Sequence, residues 1–147
     1  MAIQVAVPFD ATHPRALAVY CSDGRFTEAV RLLLLELGHD RLDTLTIPGG
    51  AATLNLLLVR GAASFLIRGH QIEHAVLIAH ADCGFYRSRG KGRPAEAIEQ
   101  AQVADLTTSA RMLARSHDGL RVSLFYARPG AIGVVFDPLE VAGAAAG

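Results

Sequence analysis

Cys21, His80 and Cys83 are the residues of this chain whose types and spacing suit metal chemistry. His80-Ala81-Asp82-Cys83 sets an imidazole and a thiol three residues apart, close enough to chelate one ion from a single turn. Zinc takes such donors in tetrahedral geometry, and a set of three protein ligands leaves the fourth position to water. A lone H-x-x-C is a weak signal; it gains weight only if the fold brings Cys21 beside it. Two cysteines far apart in a reducing compartment are more often metal-binding or catalytic than a structural disulfide. The competing readings are ordinary buried thiols, a redox disulfide, and a structural histidine. Asp23 and Arg25 follow Cys21 by two and four residues. Alone they read as a surface pair worth little. Beside a metal ligand they read as a carboxylate at the metal and a guanidinium that orients it.

Alternating strand and helix patterns must position these groups. Arg15–Cys21 is a short apolar run suited to a buried strand. Val30, Leu33, Leu34 and Leu37 then share a helical face, with Thr27 as its N-cap and Gly38 as its stop. Asp43–Ile47 reads as a second strand, ended by Pro48-Gly49-Gly50. Leu54, Leu57, Leu58, Ala62, Phe65 and Leu66 form an apolar stripe on the next helix, opposite Arg60, Ser64 and Arg68. Thr53 caps that helix and Gly69 ends it. A third strand, Ile72–Ala79, leads to His80. The glycine- and arginine-rich Asp82–Arg93 reads as a solvated loop, and Pro94 opens a long helix to about Ser116. Leu120–Tyr126 and Ala131–Phe136 are the last strands, followed by a frayed Ala/Gly tail after Leu139.

This order predicts one α/β domain over residues 1–147, a three-layer α/β/α arrangement around a mostly parallel sheet of four to five strands. Strand order 2-1-3 makes the first and third strands neighbours at the topological switch point, where ligands bind outside the carboxyl ends. Cys21 ends the first strand, and His80 with Cys83 follows the third. The topology therefore predicts that the three donors converge.

Cys21-Ser22-Asp23-Gly24-Arg25 resembles the C-x-D-x-R signature of the β-class carbonic anhydrases, and His80-Ala81-Asp82-Cys83-Gly84 resembles their H-x-x-C-G. The resemblance spans about Ala16 to Tyr86, including Pro48-Gly49-Gly50-Ala51-Ala52-Thr53 and the helix and strand that follow. It implies zinc ligands at Cys21, His80 and Cys83, a catalytic dyad of Asp23 and Arg25, and dimeric building blocks. The reaction it implies is the reversible hydration of carbon dioxide to bicarbonate by a zinc-bound hydroxide. Thr46–Gly50 stands where many members carry Arg-Asn. That difference keeps two alternatives open: a hydrolase of carbonyl sulfide or carbon disulfide, with an apolar tunnel lined by Phe26 or Phe85, and a non-catalytic zinc protein. His13, His39, His70, His74 and His117 are chemically eligible to carry the proton away.

The remaining composition narrows partners and place. Fourteen basic residues balance fourteen acidic ones, which speaks against nucleic acid as a partner and puts little charge in the way of a homodimer. Neither a signal peptide nor a membrane span is expected, since Arg60 interrupts the longest apolar run, and a cytoplasmic setting follows. The stretch Arg87-Ser88-Arg89-Gly90-Lys91-Gly92-Arg93 is basic but matches no phosphate-loop pattern.

Overall fold

A computed structural model describes residues 2–140 of the chain. Its elements are β1 (Ala16–Cys21), α1 (Thr27–Glu36), β2 (Asp43–Ile47), a 3-10 segment (Gly50–Asn55), α2 (Leu57–Gly69), β3 (His74–His80), α3 (Gly84–Arg89), α4 (Ala95–Ser116), β4 (Arg121–Pro129) and β5 (Val134–Leu139). They build one five-stranded sheet in the order β2-β1-β3-β4-β5, parallel except for β5, which pairs antiparallel with β4. The expected 2-1-3 order and mostly parallel sheet are present.

β1 and β3 are buried at every position, as strands covered on both faces must be. Their alternate residues serve two cores. Leu17, Val19, Ala75 and Leu77 pack with Ala63 and Ile67 of α2 and with Leu106, Ala110 and Leu113 of α4. Ala16, Ala18, Val76 and Ile78 pack with Val30 and Leu34 of α1. The expected α1 face is the observed one, with Leu33 and Leu37 packed against the same cluster. The result is three layers, with β1 and β3 central and their carboxyl ends side by side.

Four expectations need correction. α1 begins at Thr27 and its cap position falls on Phe26, without a side-chain cap bond, because the Phe26 ring is drawn into the core against His80. Thr53 does not cap α2: its hydroxyl donates to the Gly50 carbonyl at 2.7 Å inside the 3-10 segment. The apolar stripe of α2 is also rotated from the expected one. Val59, Ala63, Leu66 and Ile67 face the core, whereas Leu57, Leu58 and Phe65 are exposed. The chain turns extended at Leu56, so Leu54 belongs to a different element and the helical phase restarts after it. Finally, Asp82–Arg93 is not all loop, since Gly84–Arg89 forms α3. The Ala/Gly tail lies outside the described residues after Glu140.

The five remaining histidines sit at the opposite end of the sheet from His80. His74 opens β3, whose seven residues span about 20 Å at roughly 3.3 Å per residue. His39 Nε2 lies 2.8 Å from His74 Nδ1. His70 pairs with Asp43 at the start of β2, His13 stacks on His70, and His117 precedes β4. None of them lies beside the metal-ligating candidates, so chemical eligibility alone assigns no proton carrier. Burial, then the charges of Arg121 and His39, lowers the pKa of His74 to about 4. The folded pKa is thus below the unfolded one. Above pH ~6.5 both states hold a neutral ring and no stability depends on it; below that, only the unfolded chain takes up the proton. Stability is therefore lost as pH falls from about 6.5 to 4, by no more than about 3 kcal/mol. An NMR titration of the ring checks it: His74 should remain neutral at pH 5, and titration near 6.5 would contradict the buried environment.

Candidate metal centre

The carboxyl ends of β1 and β3 bring Cys21, His80 and Cys83 together. Their ligand atoms all lie within 4.8 Å of one another, and all three residues are buried. Cys21 is the last residue of β1, and its Sγ accepts from the Gly49 amide at 3.4 Å. His80 ends β3. Cys83 occupies the cap position of α3 after a turn in which Asp82 takes a positive φ of 58°. The two thiols are free, with sulfurs 3.9 Å apart.

The ring of His80 carries the most specific signal. Nδ1 lies 2.8 Å from the Ala81 carbonyl oxygen, which can only accept, so Nδ1 holds the proton and Nε2 a lone pair. Nε2 is buried with no hydrogen-bond partner. A buried polar atom without a partner costs about 1–3 kcal/mol, and coordination to a metal removes that cost. Burial also lowers the pKa of His80 and so keeps the ring neutral, as a ligand must be. For Cys83, burial pushes the thiol pKa up despite nearby backbone N–H groups; a cation among the sulfurs supplies the charge that a thiolate there requires. The donor set fits a metal ion, and Cys21, His80 and Cys83 could hold one.

Asp23 and Arg25 lie beside this cluster in the turn between β1 and α1. The Asp23 carboxylate accepts from Arg25 Nε at 3.0 Å and from Nη2 at 2.6 Å, and from the Arg25 amide at 3.1 Å. The Arg25 hydrogen bonds hold the Asp23 pKa at about 2, so it is a carboxylate throughout the neutral range. Its charge reaches His80. Both members of the expected pair are therefore next to the expected ligands and bonded to each other.

Gln102 and Tyr86 support the site without having been expected from the sequence, and Phe26, expected only as a tunnel residue, packs on a ligand candidate. Gln102 is buried on α4, its Nε2 donating to the His80 carbonyl at 2.9 Å and its Oε1 accepting from Tyr126 at 3.3 Å. An amide on the apolar side of α4, in line with Ile98 and Leu106, was the available signal. Phe26 packs its ring 4.4 Å from that of His80, and Tyr86 packs against both thiols while donating to Asp105 at 2.8 Å. One cavity of about 380 Å³ lies on the Phe85–Tyr86 side, lined also by Asn55, Leu56, Arg89, Arg93 and Asp105. A second, of about 520 Å³, is lined by Asp23, Arg25, Asp82, Arg87 and Lys91.

Two glycines let the loop after β2 close on the site. Gly50 has φ +52°, and a Cβ there would lie 2.8 Å from the Cys21 amide nitrogen and 2.9 Å from the Tyr20 carbonyl carbon. Gly49 has φ +80°, and its Cβ would overlap the Phe85 ring. Gly50→Ala should cost roughly 2–5 kcal/mol, the sum of left-handed strain and overpacking against backbone. Gly92→Ala, with φ +78° but open space around it, should cost only about 1–2 kcal/mol. Urea unfolding of both variants measures the difference, and equal costs would mean that no close approach exists at Gly50.

No protein-family model and no curated protein matches the sequence. Solved structures do match the fold. The β-carbonic anhydrase CafA of Aspergillus fumigatus superposes with a TM-score of 0.61 at 19% identity, over 88% of this chain and 77% of that one. Tetrameric β-carbonic anhydrases of Sordaria macrospora match with a TM-score of 0.61 at 14% identity, over 86% and 81%. An isoform from Trichomonas vaginalis gives a TM-score of 0.59 at 16% identity, over 90% and 87%. With its strand order, its helical layers and its cluster at the switch point, this chain has the β-carbonic anhydrase fold.

Proposed function

We propose that the chain is a zinc-dependent carbonic anhydrase of the β class, a lyase that interconverts carbon dioxide and bicarbonate. The observation that carries this reading is the unpartnered, buried Nε2 of His80, gathered with two free thiols next to a locked Asp23–Arg25 pair. Cys21, His80 and Cys83 would hold the ion. The chemistry that zinc supplies when bound is acidification of a water, whose pKa it lowers to near 7. Asp23, held ionised by Arg25, would accept a hydrogen bond from the water that the ion acidifies and so set its orientation. Arg25 keeps the carboxylate from rotating. Phe26 and Tyr86 wall the cluster from bulk water, which strengthens each charge interaction inside it.

The alternative sulfur substrates are less well suited. Phe85 lines a cavity, but Asn55, Arg89, Arg93 and Asp105 share its walls, a surface better matched to a hydrated anion than to carbon disulfide. Stopped-flow hydration of carbon dioxide by zinc-loaded protein, across about pH 6 to 9, tests the proposal. Activity should rise with pH through about 7 to 8. No hydration above background, with turnover of carbonyl sulfide instead, would establish the other reading, and no turnover of either would leave a non-catalytic zinc protein.

The protein is further proposed to act as a homodimer in the cytoplasm. Leu57, Leu58 and Phe65 present an exposed apolar strip on α2, and among the described residues no helix is long and apolar enough to cross a membrane. Sedimentation at micromolar concentration should give a dimer or a larger assembly of dimers; a monomer would contradict this assembly.

A further inference from the structure

Asp82 lies between two of the proposed ligands, and none of the roles assigned so far uses it. Its backbone has φ 58°, a conformation that non-glycine residues seldom adopt, although Asp and Asn tolerate it best. The side chain is half-exposed, so packing does not explain the choice of residue. What the turn achieves is contact with two arginines from different elements. Asp82 Oδ2 accepts from Arg25 Nη1 at 3.3 Å, and the Asp82 carbonyl accepts from Arg25 Nη2 at 3.4 Å. Its other carboxylate oxygen accepts from Arg87 Nη1 of α3.

The Arg25 guanidinium is consequently held from two sides. Nε and Nη2 face Asp23, while Nη1 and Nη2 face Asp82. A guanidinium is planar, so fixing both edges fixes its orientation. Arg25 is itself mostly exposed, and a single partner on a flexible turn leaves a long side chain free to swing. Arg87 in turn ties Asp82 to α3, the helix whose cap position is Cys83. The chain of contacts runs from α3 through Asp82 and Arg25 to Asp23.

We propose that Asp82 is a positioning residue: by clamping the far edge of Arg25 it keeps the Asp23 carboxylate turned away from the metal and aimed at the nucleophile. The inference rests on the carbonic anhydrase reading for its catalytic consequence, but the clamp itself can be read without turnover. Asp82→Gly is the variant of choice, because glycine keeps the positive φ at no steric cost and removes only the carboxylate.

The test uses zinc-loaded full-length protein and three readouts. Zinc content should stay at the wild-type level. Hydration kcat/KM should fall about tenfold, since loosening an orienting group by a fraction of an ångström costs rate rather than fold. By NMR, exchange of the Arg25 Nε–H with solvent should quicken about tenfold, because its bond to Asp23 opens more often once Asp82 no longer holds the Nη1 edge. Asp82→Asn, which keeps an acceptor and the turn, should recover part of both. In an Arg25→Ala background Asp82→Gly should change the rate less than about twofold, because the two then act through one path. A merely structural Asp82 would lower zinc content and rate in parallel, or act in full without Arg25; either result overturns the proposal, as does unchanged exchange of Arg25. If the wild-type protein hydrates no carbon dioxide, the functional reading fails, and the exchange measurement alone still supports or overturns the clamp.

Discussion

Cys83→Ser should lower zinc affinity by at least about a hundredfold, because roughly 10–16 kcal/mol of binding is shared among only three protein ligands. The expectation follows from where the residue sits. Cys83 is 1% exposed, its sulfur lies 3.9 Å from that of Cys21, and His80 offers an unpartnered nitrogen to the same space. Cys21 and His80 alone leave an ion half-coordinated. The protein should still fold, since the two larger apolar cores do not contain Cys83, which belongs to a small cluster with Cys21 and Tyr86. Metal titration with a competing chelator, beside circular dichroism of the same sample, separates lost affinity from lost structure. Wild-type affinity in a folded variant would remove Cys83 from the ligand set.

Arg25→Ala should reduce hydration kcat by roughly a hundredfold, within the range for losing one orienting charged group, while zinc affinity changes less than about tenfold. Arg25 supplies the bonds that hold Asp23 at a pKa of about 2 and fix its orientation. Without it the carboxylate is free to rotate toward the cation and close the fourth position. Arg25→Lys should not restore the rate, because an ammonium cannot grip two carboxylates with a planar fork. Equal losses of zinc and activity would instead make Arg25 a structural residue of the turn.

Much of the site's placement was legible because parallel strands and their crossovers leave few options. Asp43–Ile47 has the observed bounds of β2, and β1 differs from its expected span only at Arg15. Once β1 and β3 are neighbours, the end of each strand must lie beside the other, so Cys21 and His80 meet whatever the loops do. Local geometry was harder to read. α3 is six residues between Cys83 and Gly90, too short for a helical period, and its arginines mask it as loop. The face of α2 was misread because Ala63 marks the close contact with the sheet, whereas the larger Leu57, Leu58 and Phe65 turn outward. Gln102 and Asp82 act through single polar contacts made by distant elements, and no periodicity announces such contacts. Within the basic segment, Arg87 pairs with Asp82, while Arg89 and Arg93 line the cavity on the Phe85–Tyr86 side; residues of one type go to different places because the segment turns through α3 between them.

The most direct measurement is X-ray absorption at the zinc edge on protein purified without added metal. The proposed function predicts about one zinc per chain, bound by two sulfurs at about 2.3 Å, one imidazole nitrogen at about 2.0 Å and one light atom. A folded chain that carries no zinc and takes up none on titration, or one whose zinc shows no sulfur neighbours, would contradict a metal centre at Cys21, His80 and Cys83.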